Sequence, residues 1–303
     1  MQWPEEILIR EVGPRDGLQN EARLIPAEQK IVFIEKLVQA GLKAVEITSF
    51  VHPRAVPQLA DAEEVAAGVR RFLEGVRGSG ARQVVISALV GNRRGVERAL
   101  AAGVEQVVMV ISASEEHSRA NMNMTIAQSL EQLREIAALA AGGGLALRGA
   151  VAVAFGCPYR GKVPPEQVLR IVEAMLQAGI GEITLADTAG LANPRQVYEL
   201  VAGLYRRYPG TAFALHLHDT RGLALANIVT GIQAGVKIVE SSTGGLGGCP
   251  FIPGATGNVA TGEVVYLLHE MGIKTGVDPE KLQECVRWLE EVLGRKLVFP
   301  VPV

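Results

Sequence analysis

Three cysteines in 303 residues, Cys157, Cys249 and Cys285, are too few and too scattered for a disulfide framework, and no CxxC pair offers a thiolate zinc site. An excess of one charge is also missing: 30 Lys and Arg stand against 32 Asp and Glu, a net of -2. Without a clustered basic surplus, neither nucleic acid nor an anionic membrane is an expected partner. No apolar run approaches the ~20 residues of a membrane span. The start, MQWPEEILIREVG, is acidic where a signal or transit peptide is basic, so the expected location is the cytoplasm. Pro-rich linkers and low-complexity tracts are absent, and no GxGxxG turn opens a helix after the first apolar run. What remains is a chain 48% hydrophobic and 20% charged, able to bury a substantial core.

Eight short β-rich runs recur along it: ILIREV, AVEITSF, QVVISALV, QVVMVIS, ALRGAVAVAF, EITLADT, FALHLHD and IVESST. Amphipathic stretches separate them. In IPAEQKIVFIEKLVQAG, the residues Ile31, Ile34, Leu37 and Val38 share a helical face and Gly41 supplies the stop. Similar Ala-Gly endings follow at Gly103, Gly179 and Gly235. Repeated strand–helix units with short links imply parallel pairing, and eight of them imply closure, so the expected fold is α/β, a single (β/α)8 TIM barrel over residues 1–303. A doubly wound open sheet is the alternative. Two further helices, near Thr261 to Met271 and Pro279 to Leu293, are expected to form a C-terminal helical cap at the catalytic end.

In such a barrel the functional groups gather at the C-terminal strand ends, and polar residues recur there: Arg15-Asp16, Glu46 and Ser49, Asp187-Thr188, and His216-Leu217-His218-Asp219. His216 and His218 are two apart on a strand, so both imidazoles point to one face. With an acidic group from strand one they form a two-His, one-carboxylate set for a divalent cation; packing of one His at the rim is the alternative. Arg15 beside Asp16 is either a rim ion pair or a guanidinium that stabilises an oxyanion on a thioester carbonyl. Glu46 sits in an apolar strand, where burial requires a partner, and Arg15 is the nearest. The stretch STGGLGGCPFIPGATGN is a loop by composition; it either presents Cys249 over the mouth or holds an inert thiol. Cys285 is expected in the core, Cys157 as an inactive lining residue.

The segments EVGPRDGLQNE, VEITSFV, GCPYRGKV, ADTAGLANP, HLHDTRGLALAN and GGLGGCPFIPGATGN resemble, in order and over nearly the whole chain, the 3-hydroxy-3-methylglutaryl-CoA lyase family. The resemblance implies cleavage of that thioester to acetyl-CoA and acetoacetate. It implies magnesium or manganese held by Asp16, His216, His218 and Asn258. It further implies Arg15 as stabiliser of the acetyl-CoA enolate, Glu46 as its support, Cys249 as the catalytic thiol, His216 or Asp16 as base, and Gln19, Ser49 and Thr188 as contacts to the acyl group. The expected partner is a CoA thioester and the expected assembly a homodimer. Thr184 and Ala186 depart from the Ser and Gly common in the family. A Claisen-type synthase joining an acyl-CoA to a 2-oxo acid, a lyase for a different 3-hydroxyacyl-CoA, and a non-catalytic CoA-binding scaffold are the competing functions.

Overall fold

The computed structural model describes residues 3–77, 84–247 and 257–299. Eight parallel strands close a barrel in sequence order, β1 (Leu8–Glu11), β2 (Ala44–Ser49), β3 (Val85–Leu89), β4 (Gln106–Ser112), β5 (Ala146–Ala152), β6 (Glu182–Asp187), β7 (Ala212–Leu217) and β8 (Ile238–Ser241), with β8 returning to pair β1. Seven lie within the runs read from sequence, and β7 begins one residue before its run, at Ala212. Around them run α1 (Ala27–Gln39), α2 (Ala62–Arg77), α3 (Arg93–Ala101), α4 (Glu115–Met122), α5 (Ile126–Gly142), α6 (Pro165–Gln177), α7 (Pro194–Arg207), α8 (Ala224–Gln233), α9 (Thr261–Glu270) and α10 (Pro279–Leu293). No described helix is long and apolar enough to cross a membrane.

Local chemistry starts and stops these helices. Thr125 and Gln128 form a reciprocal capping box at α5, and Asn193 and Gln196 do the same at α7. The four Ala-Gly endings are left-handed stops, with φ of 96° at Gly41, 70° at Gly103, 83° at Gly179 and 115° at Gly235. On α1 the buried stripe is Lys30, Phe33, Ile34 and Leu37, while Ile31 and Val38 are only half-buried. The stripe is turned from the one expected because Lys30 can be buried: its ammonium bonds the Asp61 carboxylate at 2.7 Å and the Gln58 carbonyl.

Both C-terminal helices form over the expected spans, and they flank the barrel wall. Between them the chain reaches the N-terminal end of the barrel, where Ile7 N–H donates to the Lys274 carbonyl; α10 then packs on α1 and α9. The tail after α10 returns to the catalytic end, where Val298 N–H donates to Gly244. A second covering piece comes from α4, a short helix inserted after β4 whose N-cap is Ser114 and whose end is a left-handed Asn123.

Candidate active site

The turn after β1 depends on its glycines. In Gly13–Gly17 the Val12 carbonyl accepts N–H groups from Arg15, Asp16 and Gly17, forming one wide helical turn. A Cβ on Gly13 would lie 2.5 Å from Glu11 Oε1, and one on Gly17 would lie 2.8 Å from both Leu246 and Ser242. Buried Glu11 holds this turn to the far side of the mouth, accepting from Gly13 N–H, Thr243 N–H, the Thr243 hydroxyl and the Thr261 hydroxyl at 2.7–2.8 Å. Arg15 and Asp16 are thereby presented at the barrel's catalytic end.

Asp16, His216 and His218 each offer a ligand atom, and these atoms lie within 4.8 Å of one another. His216 Nε2 stands 3.9 Å from Asp16 Oδ2. Asn258 joins them through a bridge between its backbone and that of His218, and its amide donates to Asp16 Oδ2 at 2.7 Å. Two buried atoms of this group, Asn258 Oδ1 and His218 Nδ1, have no hydrogen-bond partner among the described residues. The converging Asp16, His216 and His218 atoms fit a cation that accepts carboxylate and imidazole ligands, and Asn258 Oδ1 would join them once the amide, whose nitrogen now faces Asp16, is turned over.

The charges below agree with that fit. Asp16, Glu46, Glu182 and Glu240 face Arg10, Arg15 and Arg148 in one network, four anions against three cations, with Asp16 and Glu182 half-buried and the rest buried. Arg15 donates to Glu46 and, at 2.5 Å, to Asp16. Arg148 donates to Glu46 and, at 2.7 Å, to Glu240. Burial alone would raise Asp16, but Arg15 and the two imidazoles hold it well below the ordinary carboxylate range. Burial works against the Arg15 charge too, yet Glu46 and Asp16 outweigh it and hold the guanidinium above its usual value. His218 is pushed down to about 4 by burial and by His216, which keeps its ring neutral and able to ligate.

A cavity of about 430 Å³ opens over this floor, lined by Arg15, Asp16, Gln19, Glu46, Thr188, His216 and His218 among others, with Met122 and Met124 on the side of α4. Ser49 does not line it. The register of β2 shifts between Glu46 and Thr48, and the buried Ser49 hydroxyl accepts from Val51 N–H instead. Thr188 accepts from the N–H of Val153, which is held at a φ of 52°, a strained value for a β-branched residue. Asp187 faces its own loop, accepting from Leu191 and Ala192 at 2.9 Å, and burial raises it to about 6. Cys249 lies outside the described residues. Cys157 and Cys285 are both buried: Cys157 donates to Ser114 Oγ and does not line the cavity where it was expected, and Cys285 lies in the core, its thiol pushed up by burial.

Sequence reasoning missed Arg10, Arg148 and Glu240. The signal was present: each is a charged residue within a barrel strand, as Glu46 is, although Arg10 stands beside a second charge, Glu11.

A closed parallel barrel with an ionisable, cation-fitting mouth at its C-terminal strand ends is the framework of a (β/α)8-barrel enzyme. Residues 6–288 match the family described as HMGL-like. A hydroxymethylglutaryl-CoA lyase of Bacillus subtilis is 46% identical over 98% of this chain and 96% of its own length, and a mitochondrial hydroxymethylglutaryl-CoA lyase of Bos taurus is 42% identical over 97% and 88%. Among solved structures, the HMG-CoA lyase of Bacillus subtilis superposes with a TM-score of 0.91 at 46% identity, covering 98% of this chain and 97% of that one. An HMG-CoA lyase of Acinetobacter baumannii, solved with coenzyme A and 3-methylmalate, superposes with a TM-score of 0.90 at 37% identity over 100% of both chains. The chain belongs to the HMGL-like family.

Proposed function

We propose that this protein is a carbon–carbon lyase that cleaves 3-hydroxy-3-methylglutaryl-CoA to acetyl-CoA and acetoacetate, the activity for which its relatives are named. The observation that carries the reading is the position of Arg15: fixed by Glu46, it lies directly beside the Asp16, His216 and His218 cluster on the wall of one cavity. Asp16, His216, His218 and Asn258 would hold magnesium or manganese, which when bound would supply Lewis acidity toward the substrate's tertiary hydroxyl.

Of the two candidate bases, Asp16 and His216, Asp16 is the one that keeps a lone pair to spare, because His216 turns Nδ1 to Glu240 and Nε2 to the cation site, so the hydroxyl proton leaves toward Asp16. The bond between C2 and C3 of the acyl group then breaks. Its electron pair passes to the acetyl-CoA fragment as an enolate, while the hydroxyl oxygen becomes the ketone of acetoacetate. Arg15, kept charged by its two carboxylates, faces the enolate oxygen and stabilises it. Cys249 is the proposed donor of the proton that completes acetyl-CoA. Gln19 and Thr188 contact the acyl group from the cavity wall; Ser49 is not retained in that role. A CoA-thioester substrate is supported by the coenzyme A in the Acinetobacter baumannii relative. The cytoplasm and a homodimer are the proposed location and assembly.

The test is direct. Purified protein supplied with magnesium or manganese and 3-hydroxy-3-methylglutaryl-CoA should release acetyl-CoA and acetoacetate in equal amounts, and chelation should stop it. No cleavage of that thioester, with turnover of another 3-hydroxyacyl-CoA instead, would overturn the substrate assignment.

A further inference from the structure

The carboxylate of Glu240, at the end of β8, is divided between two tasks. Its Oε1 accepts from Arg148 at 2.7 Å, from the Thr184 hydroxyl at 2.9 Å and from Arg10 at 3.1 Å. Three donors from β5, β6 and β1 leave that oxygen no freedom to turn. Oε2 is directed to the ring of His216, 3.2 Å from Nδ1. A carboxylate whose other oxygen takes three donors, two of them guanidinium groups, is an acceptor only, so the hydrogen in the contact belongs to Nδ1. In a neutral ring the lone pair is then on Nε2, the nitrogen that faces Asp16.

We infer that Glu240 is a positioning residue for His216: it selects the tautomer and ring angle that present Nε2, unprotonated, to the divalent cation. The inference rests on the metal site proposed above. A carboxylate behind a ligating imidazole orients the ring and raises its basicity. Glu240 also has an anchor that an ordinary supporting carboxylate lacks. Arg148 spans from Glu240 to Glu46, and Glu46 holds Arg15, so the ring that ligates the cation and the guanidinium that faces the enolate rest on one buried support. Thr184 contributes its hydroxyl to the same support, a contact that the Ser common in the family also has the group to make.

A mere counter-ion to Arg10 and Arg148 would have no effect on the imidazole, and that separates the two roles. In wild-type protein carrying ¹⁵N-histidine and loaded with magnesium, His216 should show a protonated Nδ1 and an unprotonated Nε2 by NMR. The reverse pattern would overturn the inference without any variant being made. Glu240→Gln should weaken Mn(II) binding, read by electron paramagnetic resonance, by about 10–100-fold, and Glu240→Asp, still an acceptor-only carboxylate, should recover part of it. Wild-type Mn(II) affinity in a folded Glu240→Gln protein would overturn the inference alone. Failure of the wild type itself to bind Mn(II) would overturn the metal site and this inference together. If Glu240→Gln does not fold, the NMR result on the wild type decides.

Discussion

Arg15 has two bonded carboxylates, and they do different things when it is removed. Glu46 keeps a partner, because Arg148 also donates to it, and Asp16 keeps its bond from Asn258. Arg15→Gln should therefore leave the ligand group assembled, with Mn(II) affinity changed only severalfold, while turnover falls by about a hundredfold or more, the scale of a lost oxyanion donor. Near-wild-type turnover would refute its role. His117, fully buried and bonded through Nδ1 to Ser112 Oγ at 3.0 Å, makes a different kind of forecast. Burial pushes it down to about 4, below the value of an unfolded histidine near 6.5, so the unfolded chain takes up the proton first. Its contribution is complete above about pH 6.5 and is lost as pH falls toward 4, amounting to about 3 kcal/mol at most. In denaturant titrations, the stability gap between wild type and His117→Gln should shrink steadily from pH 7 to pH 4.5. A constant gap would show that burial of the ring carries no such penalty.

At the scale of elements, the Ala-Gly helix endings separate strain from collision. Gly41 and Gly179 follow α1 and α6 with similar backbone, but a Cβ on Gly41 would sit 2.2 Å from the Gly276 carbonyl oxygen, whereas Gly179 faces open space. Gly179→Ala should cost roughly 1–2 kcal/mol, the left-handed penalty alone. Gly41→Ala should cost about 3 kcal/mol or more, because the segment that carries the chain from α9 to α10 must also move. Equal losses in thermal or denaturant unfolding would contradict the collision. These endings were readable in advance since one residue type reports one backbone state, and the strands were readable since each is a short apolar run. The paired imidazoles followed from a period of two. The charged floor was not read, because Arg10, Arg148 and Glu240 meet only when distant strands share an interior; each alone looks like a stray charge in a strand. Ser49 was named as an acyl contact by resemblance and not by geometry: three residues from Glu46, it falls on the opposite face in plain alternation, and its hydroxyl accepts from Val51 N–H.

For the whole molecule, the expected cation is a ligand of the folded state only, since its four proposed ligands stand at positions 16, 216, 218 and 258. At a free concentration a hundred times its dissociation constant, it should add about 2.7 kcal/mol and raise the melting temperature by roughly 5 °C. Calorimetry with excess magnesium and with chelator measures this, and identical melting curves would argue against a built site. The closure of β8 onto β1 has a temporal consequence as well. A chain leaving the ribosome exposes Asp16 before Asn258, with every strand from β2 to β8 made between them. The ion can therefore serve as a clock: in refolding, tight Mn(II) capture should appear only when the first strand has met the last, later than the formation of helices around the middle strands.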